Sequence, residues 1–207
     1  MAGAEAYDFG QLLGEGGFAK VYRARRRSTD EEVAIKVISK AQAKKMKLQA
    51  RVRNEVRLHR SLSHGHVVQL LDVFEDDASV YLVLELCDRR NLYTFLRQQH
   101  RRGGSMPVPM VVVLVRQLLK GLQYLHARGI VHRDLKLSNC LLKFWRDPRG
   151  KRRVTLKIAD LGFAAQLDHP AQEQFTLCGT PNYIAPEIAK AGAHGLPADL
   201  WSAGCIA

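Results

Sequence analysis

The densest chemistry in the chain lies at His132-Arg133-Asp134-Leu135-Lys136-Leu137-Ser138-Asn139, which offers an aspartate, a lysine two residues on and an asparagine five residues on. A carboxylate accepts a proton, an ammonium neutralises phosphate oxygens, and an amide oxygen binds a hard cation. Together these are the pieces of phosphoryl transfer. Asp160-Leu161-Gly162 offers a second metal-binding carboxylate, and Ala185-Pro186-Glu187 closes a 28-residue segment that starts at Asp160. Upstream, Gly14-Glu15-Gly16-Gly17-Phe18-Ala19-Lys20-Val21 is a glycine-rich turn whose N–H groups can approach phosphate oxygens without interference from Cβ atoms. Alone, the turn also fits a dinucleotide-binding Gly-x-Gly-x-x-Ala. That kind of turn opens into a helix, whereas Val21-Tyr22-Arg23-Ala24-Arg25 alternates like a strand. In Val33-Ala34-Ile35-Lys36, the lysine stands fifteen residues after Val21 on another strand, where a cation can reach a triphosphate. No Gly-x-x-x-x-Gly-Lys-Ser/Thr occurs, which excludes a Walker A loop.

These groups need elements to hold them. Residues 7–38 alternate apolar and polar around the glycine cluster, reading as three strands. From 46 to 62 the period becomes helical, with Leu48, Val52, Val56 and His59 on one stripe. Two apolar runs, 67–74 and 80–86, flank the acidic turn Glu75-Asp76-Asp77 and read as a hairpin. After Cys87 the pattern is mostly helical: 91–100, then 109–128 with Val111, Val115, Leu118, Leu122 and Leu125 in line. A β-rich segment followed by a helix-rich one predicts an α+β protein of two lobes with a boundary near 87–91. Residues 1–6 are expected to be disordered, 7–87 to form the small lobe and 88–207 the large one.

Composition narrows the classes. The 207 residues are 46% hydrophobic and 25% charged, enough apolar material for real cores and too much for wholesale disorder. No uninterrupted apolar run approaches the ~20 residues that span a bilayer, and the first seven residues lack the pattern of a secretory signal. Cys87, Cys140, Cys178 and Cys205 are widely spaced, which suits reduced thiols better than a disulfide frame or a zinc site. The net charge of +12 raises nucleic acid as a partner. Yet no zinc-finger, RNP-type or basic-zipper pattern accompanies the basic clusters, so solvated faces or docking patches are expected instead.

The ordered motifs resemble those of eukaryotic protein kinases. Lys136 and Gly179-Thr180-Pro181-Asn182-Tyr183 are similar to the serine/threonine class rather than the tyrosine class. Gly-Gly-Phe-Ala-Lys in the glycine turn resembles the Polo-like family. So do the runs 80–87 and 175–183, Leu137-Ser138-Asn139 and Ala193-His194-Gly195, which resemble its centriole-duplicating branch. The similarity extends from about Asp8 to the last residue.

The resemblance implies a bilobal protein-kinase-like fold: a five-stranded antiparallel small lobe with one helix, and a mainly helical large lobe lacking its last helices. It implies ATP and Mg²⁺ as cofactors. Lys36 would hold the α- and β-phosphates and Glu55 would pair with it, as a surface-type ion pair worth about 0–1 kcal/mol to stability. Asp134 would accept the substrate proton, Lys136 would steady the γ-phosphate, and Asn139 and Asp160 would hold the metal. The loop Leu13, Gly14, Glu15, Gly16, Gly17, Phe18 and Ala19 would cover the nucleotide. Val21, Ala34 and Leu141 would sandwich the adenine, the backbones of Glu85 and Cys87 would meet its edge, and Leu84 would be gatekeeper. Arg133 would meet a phosphorylated Thr176, while Thr180 would be structural. Partners would be proteins carrying Ser or Thr, including centriolar ones, with neither nucleic acid nor membrane, in the cytoplasm at the centrosome or centriole.

Other residues read as ordinary structure. His64 and His66 have a metal-like spacing without a third ligand, and Cys178 is expected to be an unreactive thiol. The basic stretch 146–153 reads as an inserted, solvated turn. Leu161 stands where the family usually has phenylalanine, a change expected to be tolerated. The chain ends early in the helix on which the large lobe is built, which would leave Ile184, Ile188 and Trp201 uncovered. The competing readings are a catalytically impaired or pseudokinase-like nucleotide-binding module and, from charge alone, a nucleic-acid-binding protein.

Overall fold

The computed structural model describes residues 3–87, 91–169, 172, 174–176 and 178–207. Met1, Ala2, most of the expected boundary at 87–91 and Leu177 of the 175–183 run lie outside them. The chain divides into two compact units, Met1–Ser63 with Val68–Cys87, and His64–Val67 with Asp88–Ala207.

The first unit is built on an antiparallel sheet of β1 (Tyr7–Glu15), β2 (Ala19–Arg26), β3 (Glu32–Ser39), β4 (Leu70–Glu75) and β5 (Ser79–Glu85), in the order β1-β2-β3-β5-β4. Strand alternation in β3 sends Val33 and Ile35 to one face and Ala34, Lys36 and Ile38 to the other. Val33 and Ile35 join Tyr7, Ala24, Phe74 and Val83 in one core; Ile38 joins Ala43, Val52 and Leu82 in another. Residues 4–6 depart from the expected disorder. They form a 3₁₀ turn because Ala4 and Ala6 pack on the first core and the Ala6 carbonyl accepts the Arg27 amide at 3.0 Å.

Two helices follow β3, not the one expected. α1 (Lys40–Lys45) forms because the Ser39 hydroxyl caps it, accepting from the Gln42 amide at 3.3 Å, ahead of the good helix formers Lys-Ala-Gln-Ala-Lys-Lys. Lys47, at φ 56°, then breaks the chain, so α2 (Gln49–Arg60) starts later than the periodicity suggests. Its inner stripe is Val52, Glu55, Leu58 and His59; Val56 is only half-buried. The His59 ring donates to the Val68 carbonyl at 2.7 Å.

In the second unit, the Asn91 side chain accepts the Thr94 amide at 2.9 Å and caps α3 (Leu92–Arg101). α4 (Val108–His126) begins after Pro107 and carries Pro109 in its first turn, where the missing N–H costs nothing. By length and composition alone this 19-residue helix would suffice to cross a membrane, since Arg116 and Lys120 are diluted in an apolar sequence. One stripe of it, Leu114, Leu118, Gly121, Leu122 and Leu125, is buried in the unit, whereas Val108, Val112, Val113 and Leu119 are exposed. Beyond it come β6 (Ile130–Val131), β7 (Cys140–Arg146), β8 (Arg152–Ile158), β9 (Ala165–Gln166), α5 (Pro186–Ala189) and α6 (Leu196–Ile206). β6 pairs with β9 and β7 with β8. The stretch 146–153 is less of a turn than expected. Its ends extend the strands, because Phe144, Trp145, Val154 and Thr155 favour β structure and residues 147–151 close the hairpin. Ile188 is also covered, packed with Ala185, Ala198 and the half-buried Ile184, whereas Trp201 is half exposed.

His64 has work other than metal binding: it stacks on Tyr124 at 4.6 Å, and Arg128 lies over the same ring at 3.8 Å. Desolvation, then the charges of His66, Lys157, Arg128 and Lys120, hold the His64 pKa below its usual value. Among the described residues no group of three or more His, Cys, Asp or Glu gathers as a metal site.

Gly121 is where α4 meets the rest of the unit. A Cβ there would lie 2.8 Å from Ile158 Cδ1 and 2.9 Å from the His66 carbonyl. Helix propensity alone favours Gly→Ala by about 1 kcal/mol. We expect Gly121→Ala instead to destabilise the protein by about 1–3 kcal/mol through overpacking, seen as a lower urea midpoint.

Candidate active site

The segment after β6 is held from below by one carboxylate. Asp199, on α6, is 1% exposed. It accepts the His132 amide at 2.8 Å, the Arg133 amide at 2.9 Å and His126 Nε2 at 2.9 Å. These bonds hold Arg133 at φ 66°, a left-handed conformation that a long side chain rarely adopts unaided. His132 is fully buried. Its Nδ1 accepts the Asp134 amide at 3.3 Å, so the ring proton sits on Nε2 and is donated to the Ala159 carbonyl at 3.0 Å.

This backbone presents Asp134, itself 4% exposed. Its Oδ2 accepts Lys136 Nζ at 2.8 Å and Asn139 Nδ2 at 3.2 Å; its Oδ1 accepts the Thr180 hydroxyl at 2.8 Å. Lys136 also donates to Thr180 Oγ1 at 2.9 Å, which makes a closed set of Asp134, Lys136 and Thr180. Asn139 donates again to the Asp134 carbonyl at 2.8 Å, so its amide oxygen is the end left for a cation.

The β7–β8 hairpin sets the place of Asp160. Cys140 pairs with Ile158, so the residues just outside the strands are neighbours, and the Ala159 amide donates to the Asn139 carbonyl at 2.9 Å. Asp160 follows at φ 64° and caps the next turn through the Gly162 amide at 3.4 Å. A carboxylate and an amide oxygen at this corner are a donor set suited to a hard cation such as Mg²⁺. Leu161 is buried, and Leu141, on β7, is half-buried. The Arg133 side chain donates to the Phe163 carbonyl at 2.7 Å and reaches Gln174 at 3.5 Å, while Thr176 is exposed.

In the first unit, Lys36 Nζ lies 2.6 Å from Glu55 Oε1, with the two side chains 13% and 3% exposed. This corrects the expected surface-type pair. α2 lies over the face of β3 that carries Lys36, and both ends are largely out of water. Register places Val21 opposite Lys36 and Ala34 opposite Leu84, so all four share one sheet face. The glycine turn closes through the Gly16 amide on the Ala19 carbonyl at 2.8 Å. A Cβ on Gly14 would meet nothing within 4 Å, so the space above the turn is open to an approaching group. Leu13 is exposed, Glu15 pairs with Lys20 at 3.2 Å, and Phe18 and Ala19 pack on the Ile38 core. The Glu85 amide donates to the Gln69 carbonyl at 3.0 Å, and Cys87 ends the unit half-buried.

The family model for the protein kinase domain matches residues 7–207. The chain belongs to the protein kinase domain family. It is similar to proteins named serine/threonine-protein kinase PLK4: 45% identical over 202 residues in Drosophila grimshawi, 43% over 202 in Aedes aegypti and 45% over 195 in Xenopus tropicalis. These alignments cover 98%, 98% and 94% of this chain but 25%, 25% and 20% of the relatives. The kinase domain here thus spans about a quarter of the length of the curated relatives it matches.

Sequence reasoning did not assign Asp199, His126 or Gln174 a part in this kinase site. Only Asp199 carried a signal: an acid on the same helical face as Ala198, Ser202 and Ala203. Asp199→Ala leaves two backbone amides without acceptors, at about 1–3 kcal/mol each. We expect a loss of about 3 kcal/mol or more by chemical denaturation. Burial also pushes the Cys140 thiol up to about 12. At pH 8, iodoacetamide is therefore expected to modify exposed Cys205 and spare Cys140 until urea is added, as read by peptide mass spectrometry.

Proposed function

We propose that this chain is the catalytic domain of a serine/threonine protein kinase, transferring the γ-phosphate of ATP to Ser and Thr hydroxyls of proteins. The observation that carries this reading is the closed set at Asp134. One carboxylate has its oxygens oriented by Lys136, Thr180 and Asn139, and the two residues before it are held through their amides by Asp199. Asp134 accepts the proton of the attacking hydroxyl as its oxygen bonds to the γ-phosphorus and the bond to the leaving ADP oxygen breaks. Lys136, already beside that carboxylate, neutralises the charge that collects on the γ-phosphate oxygens.

Asn139 and Asp160 would hold Mg²⁺, which supplies further neutralisation of the phosphates. Lys36, kept in place by Glu55, contacts the α- and β-phosphates. By the resemblance, the open glycine turn would lend its amides, Val21, Ala34 and Leu84 of the first unit and Leu141 of the second would supply apolar surface for adenine, and its edge would meet Glu85 and Cys87. Phosphorylation of exposed Thr176 would add a charge of about −1.5 to −2 for Arg133 to pair with. The serine/threonine preference and a role at the centriole, within the cytoplasm and with centriolar partners, rest on the resemblance to Polo-like kinases. The domain limits 7–87 and 88–207 rest on the same resemblance.

The test is transfer of radiolabelled phosphate from ATP to a generic acidic protein substrate. Asp134→Asn should lower the rate about a hundredfold or more while retaining binding of a fluorescent ATP analogue. Equal rates in the two proteins, or nucleotide binding without any transfer by the unmodified chain, would exclude the catalytic reading.

A further inference from the structure

The β7–β8 hairpin extends well past the residues that position Asn139 and Asp160. Seven cross-strand pairs run from Cys140–Ile158 to Arg146–Arg152, where two would bring those residues together. Its outer half, residues 143–153, carries six basic residues and one acid, a net charge of +5.

The charge is presented in a fixed form. Asp147 organises the tip. Its carboxylate accepts the Arg149 amide at 3.1 Å and the Lys151 amide at 2.9 Å, and pairs with Arg153 at 2.9 Å. Burial works against that carboxylate, but Arg153 and the amides outweigh it and keep its pKa below the usual range. The acid is thereby used up within the turn. Arg149, Lys151 and Arg152 are exposed and have no carboxylate partner among the described residues; Arg146 is bonded only to the Gly150 carbonyl, at 2.8 Å. Arg146 and Arg152 stand directly opposite each other across the hairpin, an arrangement of like charges that costs stability.

The exposed arginines on and just after β2 in the first unit are different. There Arg23 pairs with Glu32, Arg25 with Asp30, and Arg27 with Asp8. Those three arginines are neutralised by carboxylates, whereas among the described residues Arg149, Lys151 and Arg152 at the hairpin tip are not. Beside them Trp145, half exposed, is fixed through Nε1 on the Thr155 hydroxyl at 3.0 Å and lies opposite Arg153. A fixed, half-exposed aromatic on the same short hairpin as several exposed cations is the composition of a protein-contact hot spot.

We propose that the tip of the β7–β8 hairpin is a docking site for an Asp/Glu-rich segment of a partner protein. Guanidinium groups take carboxylates in paired, charge-assisted hydrogen bonds, and the Arg146–Arg152 repulsion is relieved when an acidic segment binds. The footprint favours a short peptide over nucleic acid. The unpaired cations lie within two strands about 4.8 Å apart and one tight turn, whereas nucleic-acid binding draws its affinity from many phosphates along a track.

The test uses the full chain and a fluorescein-labelled dodecapeptide of Asp, Glu and Gly, read by fluorescence anisotropy at low salt. Saturable binding is expected, weakened about tenfold or more by R149E/K151E/R152E, which removes charge-assisted contacts. K44E/K45E/R53E, with the same change in net charge on exposed positions of the first unit, should alter affinity less than about twofold. Circular dichroism melting identifies any variant that fails to fold; the charge-neutral R149Q/K151Q/R152Q, which should also weaken binding, then takes its place. Equal losses in the hairpin and control variants would show diffuse attraction to net charge and overturn the proposal. So would tighter, hairpin-dependent binding of a double-stranded oligonucleotide or of phosphatidylserine vesicles.

Discussion

A single buried carboxylate underlies the catalytic half of this protein. Asp199 spends its oxygens on the amides of His132 and Arg133 and on the ring of His126. An ionised group that far from water is tolerable only when it is richly hydrogen-bonded, and here the bonds it needs hold the next segment in a strained shape. Arg133 stays left-handed because the alternative would strand both the carboxylate and the amides. With that backbone fixed, Asp134 faces Lys136, Thr180 and Asn139 with little freedom left. The carboxylate's orientation is settled during folding, which is the pre-organisation that the proposed role of Asp134 requires.

The first unit solves a parallel problem with a different device. The proposed role of Lys36 needs a long, flexible side chain to be kept extended. The sheet gives it a face, and α2 brings Glu55 against that face at 2.6 Å. The two cores on opposite sides of β3 make the strand rigid, and the ion pair converts that rigidity into a fixed ammonium. Because the pair is buried, losing either partner would leave an uncompensated charge, so positioning and stability are coupled there more tightly than a surface pair would allow.

Charge is distributed with the same selectivity. The +12 of the chain is not a uniform coat. The exposed Arg23, Arg25 and Arg27, on and just after β2, each have a carboxylate partner, whereas the hairpin tip consumes its one acid internally. Net charge alone points towards nucleic acid; residues 143–153 concentrate +5 of it in one short hairpin tip.

Much of the site was legible in the sequence because its residues are close along the chain or act through local geometry. Asp134, Lys136 and Asn139 fall within six residues, strand alternation gives Ala34 and Lys36 a common face, and helical spacing puts Glu55 beside Val52. The glycine turn, the five strands and the main helices follow from the same short-range rules. Tertiary structure decided whatever depends on partners distant in sequence or on burial. His126 and Asp199 are 73 residues apart, and Asp134 and Thr180 are 46 apart, so no local period could join them. The turn at 4–6, the burial of the Lys36–Glu55 pair, the shift of the α4 core stripe to Leu114 and the extension of the hairpin through 146–153 each required knowing what lies opposite. Residue types and spacing determine which chemistry this chain can perform. Only the fold, by removing one carboxylate from water and aiming its bonds, decided how that chemistry is held.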